Sequence, residues 1–303
     1  MQNHIEYFFF RLAYLFIRLF SFKNVQRLGS GFGGFIFSVI GIRKKLLLDN
    51  LRHAFPEKTE EEIIMIAKAS FQNLIMAYFE ILYLDKLTAE QIRRYISFPE
   101  REKIKSFLES GKGLIVLTGH YGNWELCALA VSVHVPAKYT IIVQKQRNPF
   151  VNDFITSMRS RFGTKLILME HALRDSLRAL SQNEIVALIA DQSGPESGIY
   201  AKFFGRPAST HQGPAVFQLR SGAPMIMVML VREGLSKFKI ELEEIDTTNL
   251  TGTPEEKMIE LTQRHVSVLE KYIRLHPEQW LWMHKRWKHS DAYLKRIQKG
   301  SVS

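Results

Sequence analysis

The sequence predicts an α/β fold with a mainly parallel central sheet flanked by helices, preceded by an N-terminal hydrophobic, membrane-anchoring helical segment. Three observations carry this reading. After residue 112, short apolar runs without polar alternation recur between stretches of helical periodicity, the pattern of strands covered on both faces by crossover helices. Before residue 45 the chain is dominated by two long apolar runs. Positive charge gathers at the two ends: residues 1–50 hold seven basic and two acidic side chains, and residues 281–303 hold six and one.

The first apolar run, Tyr7 to Phe22, is interrupted by Arg11 and Arg18; the second, Leu28 to Ile42, leads straight into Arg43, Lys44 and Lys45. Neither is an unbroken stretch of ~20 apolar residues. The arginines and the lack of a small-residue cleavage site argue against a signal peptide. A membrane anchor whose arginines reach toward headgroups fits, with the cluster at 43–45 on the cytoplasmic flank. Spanning and lying in the interface both remain open, and the competing reading is a buried core helix with two satisfied arginines.

Thr59 and Glu62 have capping-box spacing and open a long helix through Tyr83, and another helix runs from Glu100 to Ser110. Strands follow at Gly113–Thr118, Tyr139–Val143, Lys165–Leu168, Ile185–Ala190 and Pro224–Leu230, with helices near 123–133, 149–162, 171–182 and 211–222 between them. Lys237–Ile245 alternates and predicts an edge strand. Pro254–His276 is a helix with one polar face. The alternation of Trp280, Trp282, His284 and Arg286 predicts a final strand. The organisation is therefore a membrane-associated segment 1–45, an α/β domain 46–294 and a flexible tail 295–303.

With 303 residues, 46% hydrophobic and 23% charged, the chain can build a sizeable core and is not a disordered polymer. The net charge of +11 lies almost wholly at the ends, which excludes the basic stripe of a nucleic-acid binder and points to an anionic membrane surface. The single cysteine, Cys127, excludes a disulfide framework and a cysteine-rich zinc module. It reads as a small buried residue, as Met225, Met227 and Met229 read as core. His134, His171, His211, His265, His276 and His289 lack metal-ligand spacing, and no metal is expected.

The chemistry concentrates where strand 113–118 empties into Gly119-His120-Tyr121-Gly122-Asn123-Trp124-Glu125. Five residues separate His120 from Glu125, so they meet only across a turn, which Gly119 and Gly122 supply. Asn123 suits the N-cap of the following helix. A carboxylate on one imidazole nitrogen would leave the other to take a hydroxyl proton. The competing reading of His120 is an ordinary loop histidine.

The GHYGNWE run resembles the HX4D/E motif of glycerolipid-type acyltransferases and is similar in this form to the lipid A late-acyltransferase (lauroyl/myristoyl) family. The resemblance continues in order through Asn148-Pro149 and Arg159, Asp191-Gln192, Phe203-Phe204-Gly205, Gly213-Pro214-Ala215, Ser221-Gly222-Ala223 and the Trp280–Lys288 segment. Phosphatidylinositol-mannoside acyltransferases share the pattern. The resemblance implies a glycerolipid-acyltransferase-like fold and an enzyme on the cytoplasmic side of the inner membrane. It would move a fatty acyl chain from acyl carrier protein or coenzyme A to a glycolipid hydroxyl, most simply on a lipid A precursor, without a metal or prosthetic group. By the same analogy His120 is the general base, and Glu125 orients it and stabilises its imidazolium.

Asn123, Arg159, Asp191 and Arg286 are the candidates for substrate contact, each with a plainer alternative. Asn123 can serve as cap alone, Arg159 can sit on a solvated helix face, Asp191 can cap a turn, and Arg286 can belong to an aromatic-packed strand. Gln144 stands where many relatives carry arginine, with Lys145 beside it, so recognition of an anionic group differs there. A hydrolase or thioesterase, or a non-catalytic membrane-binding scaffold on the same fold, are the rival functions.

Overall fold

The computed structural model describes residues 1–299. Helices α1 (Gln2–Ile17) and α2 (Phe22–Phe35) are followed by a π-helical turn, Ile36–Ile40, and by α3 (Lys44–Ala54). Then come α4 (Glu60–Ile81), α5 (Ala89–Tyr95), the two-residue β1 (Ile96–Ser97) and α6 (Arg101–Leu108). The α/β part alternates β2 (Leu114–Thr118), α7 (Trp124–His134), β3 (Tyr139–Val143), α8 (Pro149–Ser160), β4 (Lys165–Leu168), α9 (Ala172–Ser181) and β5 (Ile185–Ile189). A hairpin of β6 (Ile199–Phe203) and β7 (Arg206–Thr210) leads to α10 (Gly213–Ser221), β8 (Met225–Gly234), β9 (Lys237–Ile245), α11 (Pro254–Leu275) and α12 (Ser290–Gln298).

Seven strands form one sheet in the order β1-β9-β8-β2-β5-β3-β4, parallel throughout except for the β8–β9 pair. Successive side chains point to opposite faces, and the core divides accordingly. Ile115, Leu117, Met225, Met227 and Met229 pack with α3, α4, α10 and α11 on one face; Leu114, Val116, Ile226 and Val228 pack with α2, α5, α6 and α7 on the other. Burial on both faces is why the strands read as unbroken apolar runs. The Thr59–Glu62 capping box forms as expected, with Glu62 N–H donating to Thr59 Oγ1 and Thr59 N–H to Glu62 Oε2.

Several expectations need correction. Strand β9 is second from the edge, because β1 pairs along its outer side. Residues 280–288 form no strand: the alternating tryptophans cluster instead around Phe203 and Phe204, with Trp280 and Trp282 edge to face at 4.7 Å. The β6–β7 hairpin, a separate two-stranded sheet, was not visible in the apolar pattern. Helix α12 occupies 290–298, held by Tyr293 stacked on Tyr200 at 3.7 Å and by the Arg206–Asp291 pair. Only the end of the expected flexible tail, residues 300–303, lies outside the described residues.

The N-terminal run is two helices, and α1 is not buried in a core. Ile5, Phe8, Phe9, Leu12, Leu15 and Phe16 recur at three- and four-residue spacing and are all about half exposed or more. Leu28, Phe32 and Phe35 on α2 and Val39 and Ile40 beyond it are exposed as well. No helix among the described residues is long and apolar enough to cross a membrane. Arg18 pairs with Asp85 at 2.8 Å, and Asn148 Nδ2 donates to Asn3 O at 2.8 Å, tying α1 to the loop before α8. Helix α2 lies against α4 so closely that a Cβ at Gly29 would stand 2.7 Å from Met76 Cα, and one at Gly33 2.8 Å from Gln72 Cα.

A Gly29→Val substitution should therefore push α2 off α4 and lower stability by about 1–3 kcal/mol. Gly31→Ala, which meets open space, should leave stability unchanged or raise it. Denaturant unfolding of the detergent-solubilised protein checks both.

Candidate active site

The site is set by the pairing of two adjacent parallel strands. Strand β2 pairs with β5 so that Leu117 lies opposite Leu188 and Thr118 opposite Ile189. The bond from Ala190 N–H to Thr118 O, 3.1 Å, carries the pairing past the last strand residue. Two residues further along each chain stand His120 and Asp191, brought together at the C-terminal edge of the sheet, where open α/β sheets place their ligands.

Asp191, with 2% side-chain exposure, is the hub. Its Oδ1 lies 2.8 Å from His120 Nδ1, and its Oδ2 accepts from the His120 backbone N–H at 2.7 Å and from Trp280 Nε1–H at 2.9 Å. Nδ1 thus carries its proton toward the carboxylate, and Nε2 is the free nitrogen. Gln192 Nε2 is 3.5 Å from Nε2, at the limit of contact, and the Trp124 ring lies against the imidazole with centroids 4.9 Å apart. Burial alone would lower the His120 pKa, but the charge and hydrogen bond of Asp191, helped by the charge of Glu125, outweigh it and raise the pKa above its ordinary value. Burial likewise pushes Asp191 upward, and the His120 and Trp280 interactions overcome it, so the carboxyl is held low.

The expected hydrogen bond between His120 and Glu125 is absent; Asp191 takes that position. The reason is local. Gly122, at φ 54°, turns the chain, and a Cβ there would meet Leu230 O at 2.7 Å. Asn123 caps α7, its Oδ1 accepting from Leu126 N–H at 2.9 Å. Glu125, in the first helical turn, faces α8, where Arg159 donates to it through Nε (2.8 Å) and Nη2 (2.5 Å). Arg159 is thus not on a solvated face but half of a largely buried, two-pronged ion pair. This pair lies at a narrow apolar cleft between α7 and the sheet, lined by Val116, Cys127, Val131, Tyr139, Ala187 and Val228 among others.

Arg286 does not reach His120. It is fully buried, donating to Ser209 O (2.5 Å) and Thr210 Oγ1 (2.7 Å) and lying over the Phe203 ring, and burial lowers its pKa to about 10. It fastens the β6–β7 hairpin to the C-terminal segment. Gln144 and Lys145 are exposed in the loop before α8. Cys127 is buried, and burial pushes its thiol up to about 12, a core residue and not a nucleophile. Among the described residues, no group of three or more His, Cys, Asp or Glu side chains is placed to hold a metal ion.

The sequence reading missed Trp280 as the third donor to Asp191, and Glu80, whose buried carboxylate accepts from Asn123 Nδ2 at 2.9 Å. Asp191 itself carried a signal, its place at a strand end like His120. What tied the two together was strand adjacency, which apolar runs do not specify.

This geometry predicts that the imidazole of His120, followed by NMR, titrates with a midpoint above about 6.5. Asp191→Asn removes the opposing charge while burial stays, so the midpoint should fall below that value.

The model of the bacterial lipid A biosynthesis acyltransferases matches residues 2–289. The lipid A biosynthesis acyltransferase of Haemophilus influenzae is 24% identical over 77% of this chain and 72% of its own length. The lipid A biosynthesis palmitoleoyltransferase of Escherichia coli is 24% identical over 86% of this chain and 84% of its own. A phosphatidylinositol mannoside acyltransferase of Mycolicibacterium smegmatis is 20% identical over 77% of this chain and 74% of its own. With a family match running almost from end to end over the folded core that builds this site, the chain belongs to the bacterial lipid A biosynthesis acyltransferase family.

Proposed function

We propose that the protein transfers a fatty acyl chain from a thioester donor, acyl carrier protein or coenzyme A, to a hydroxyl of a phosphorylated lipid A precursor. The observation that carries the reading is the His120–Asp191 pair: a buried carboxylate holds Nδ1 and leaves Nε2 as the free nitrogen at the C-terminal edge of the sheet. The acceptor oxygen attacks the thioester carbonyl carbon while its proton passes to His120 Nε2. The tetrahedral intermediate collapses with cleavage of the C–S bond, and the departing sulfur takes that proton from the imidazolium. Asp191 fixes the ring and stabilises its charged form, as in other carboxylate–histidine pairs. Glu125, pinned by Arg159, adds to that stabilisation through charge rather than contact. The apolar cleft between α7 and the sheet suits the acyl chain. The steps need neither a metal nor a prosthetic group.

The surface fits a lipid substrate. The exposed face of α1 and α2 suits a helix pair lying in a bilayer interface. The two basic ends converge: Arg43 Nη1 donates to Met283 O at 3.2 Å, bringing the 43–45 cluster beside Lys285 and Lys288. Such a surface suits anionic lipid, acceptor phosphates or acidic acyl carrier protein at the cytoplasmic side of the inner membrane. The relatives acting on phosphatidylinositol mannosides make that glycolipid the second acceptor to offer.

The test is transfer of a labelled acyl chain in detergent to a phosphorylated disaccharide lipid A precursor, to a phosphatidylinositol mannoside, and with no acceptor. Wild type should label the lipid A precursor, and His120→Ala should lose about 10²–10⁴-fold. Activity should fall on acidification with a midpoint above about 6.5, since the protonated imidazole is no base. Acyl release without acceptor would make the protein a hydrolase, and equal activity in His120→Ala would sink the mechanism. In a flotation assay the protein should bind anionic vesicles, less so at high salt, and a Phe8→Ser, Phe9→Ser double variant should lose most of that binding.

A further inference from the structure

Glu80 is fully buried in α4, and its carboxylate has no part in the transfer steps above. It is nevertheless the meeting point of several elements. Arg232, at the end of β8, donates to it from both terminal nitrogens at 2.7 and 2.8 Å. Gln26 of α2 donates through Nε2 at 2.6 Å, and Asn123 of the His120 loop through Nδ2 at 2.9 Å. Arg232 is fixed in turn by Asn73 Oδ1 at 2.9 Å. The Gln279 side chain takes the Arg232 backbone N–H and donates to its carbonyl, while the Gln279 carbonyl accepts from Gly122 N–H at 2.7 Å.

The loop from Gly119 to Asn123 thus has two clamps. Asp191 holds its beginning through the His120 backbone and ring. Glu80 and Arg232 hold its end, one through the Asn123 side chain and the other, by way of Gln279, through the Gly122 backbone. The Glu80 bond also sets which way the Asn123 amide faces. With its NH2 on the carboxylate, its oxygen points at Leu126 N–H and caps α7. That cap fixes where α7 begins, and with it the Trp124 ring against His120 and Glu125 against Arg159.

Resting on the acyl-transfer reading, we infer that Glu80 and Arg232 are positioning residues for His120, and that they couple helix α2, through Gln26, to the catalytic loop. Each acts through Asn123 or Gly122 and touches no reacting atom. A loss of alignment of about an ångström at a general base costs on the order of 10²-fold in rate while leaving distant binding contacts in place.

The experiment uses the full-length, detergent-solubilised protein and compares Glu80→Gln, Gln26→Ala and the exchange Glu80→Gln with Asn123→Asp. The exchange reverses the polarity of the hydrogen bond, keeps the cap acceptor and conserves the net charge. Transfer kinetics and peptide-resolved hydrogen exchange are read together. Glu80→Gln should lower kcat by about 10- to 100-fold with KM for the acyl donor within about twofold, and the exchange variant should recover part of the loss, the part owed to Asn123, since Arg232 Nη2 lacks its acceptor at position 80 in both variants. Gln26→Ala should lower kcat by a smaller factor, about two- to fivefold, and keeps the idea testable if Glu80→Gln does not fold. Amide exchange should quicken in the peptide covering 119–126 while the β2, β5 and α11 peptides stay protected. Faster exchange throughout the chain, activity that only tracks the folded fraction, or an exchange variant no better than Glu80→Gln would overturn the inference. If wild type transfers no acyl chain, the functional reading fails instead. The exchange pattern then decides alone: loosening confined to 119–126 upholds the positioning role, and an unchanged loop overturns it.

Discussion

A buried carboxylate is tolerable only when hydrogen-bond donors replace the water it has lost, and Asp191 imposes that demand on the whole C-terminal edge of the sheet. Its three donors come from places far apart in the chain: the backbone and ring of His120 after β2, and the indole of Trp280 after α11. The Trp280 donor is available because α4 holds that segment, with Ser70 Oγ donating to Trp280 O at 3.0 Å and Asn73 Nδ2 to Glu278 O at 3.1 Å. Register is equally constrained. Slipping β2 against β5 by one residue would reverse every side chain and separate His120 from Asp191, leaving the carboxylate without two of its partners.

Three buried acids surround the His120 loop, and each has been given different company. Asp191 faces an imidazole, Glu125 faces Arg159, and Glu80 faces Arg232. The division has an electrostatic consequence. Three free carboxylates in so small a space would repel, and an unpartnered one would give up its charge. Cationic arginines pair with two of them, and the third faces His120, whose proton affinity is set by burial against the charge and hydrogen bond of Asp191. Glu125 still adds to that affinity from beyond hydrogen-bond range. Glu125, five residues after His120, therefore acts on the imidazole through charge, while its hydrogen bonds go to Arg159.

Much of this fold was legible in the sequence because it rests on local signals. Buried parallel strands announce themselves as apolar runs, and the Thr59–Glu62 box and the Asn123 cap are short-range chemistry. His120, Asp191 and Glu125 were each visible as polar residues at strand or helix ends, and Arg159 through the family resemblance. Their partnership was not, because which strand lies beside which depends on the crossover path; two carboxylates were in reach by sequence, and proximity along the chain favoured Glu125. The Trp280–Lys288 alternation misled for a related reason. A period of two predicts a strand only where a neighbouring strand is free to pair, and this segment instead packs its indoles around Phe203 and Phe204. Glu80 gave no sign at all, since one acid in a long apolar helix reads as a surface position until the Arg232 and Asn123 side chains are seen against it.

The placement of the site between unlike surfaces also has a physical logic. From the exposed apolar side, Tyr78 stands edge-on to Trp124, and Trp124 lies against His120, so aromatic surface runs from the outside of α4 to the imidazole. Beside the same loop, where Leu281 N–H donates to His120 O at 3.1 Å, the α3 start and the C-terminal segment bring basic residues together, locked by Arg43 on Met283 O and by Asn50 Nδ2 on Trp282 O at 2.7 Å. On the proposed reaction both substrates are amphipathic: one carries an acyl chain on a polar carrier, the other a phosphorylated head on lipid tails. A base standing where an apolar approach meets a cationic one can receive the acyl chain from one direction and an anionic head from the other without either being stripped of its preferred surroundings. Helix α2 takes part in both arrangements. Its outer face is the exposed apolar surface, and its inner face sends Gln26 to the carboxylate that fixes the His120 loop.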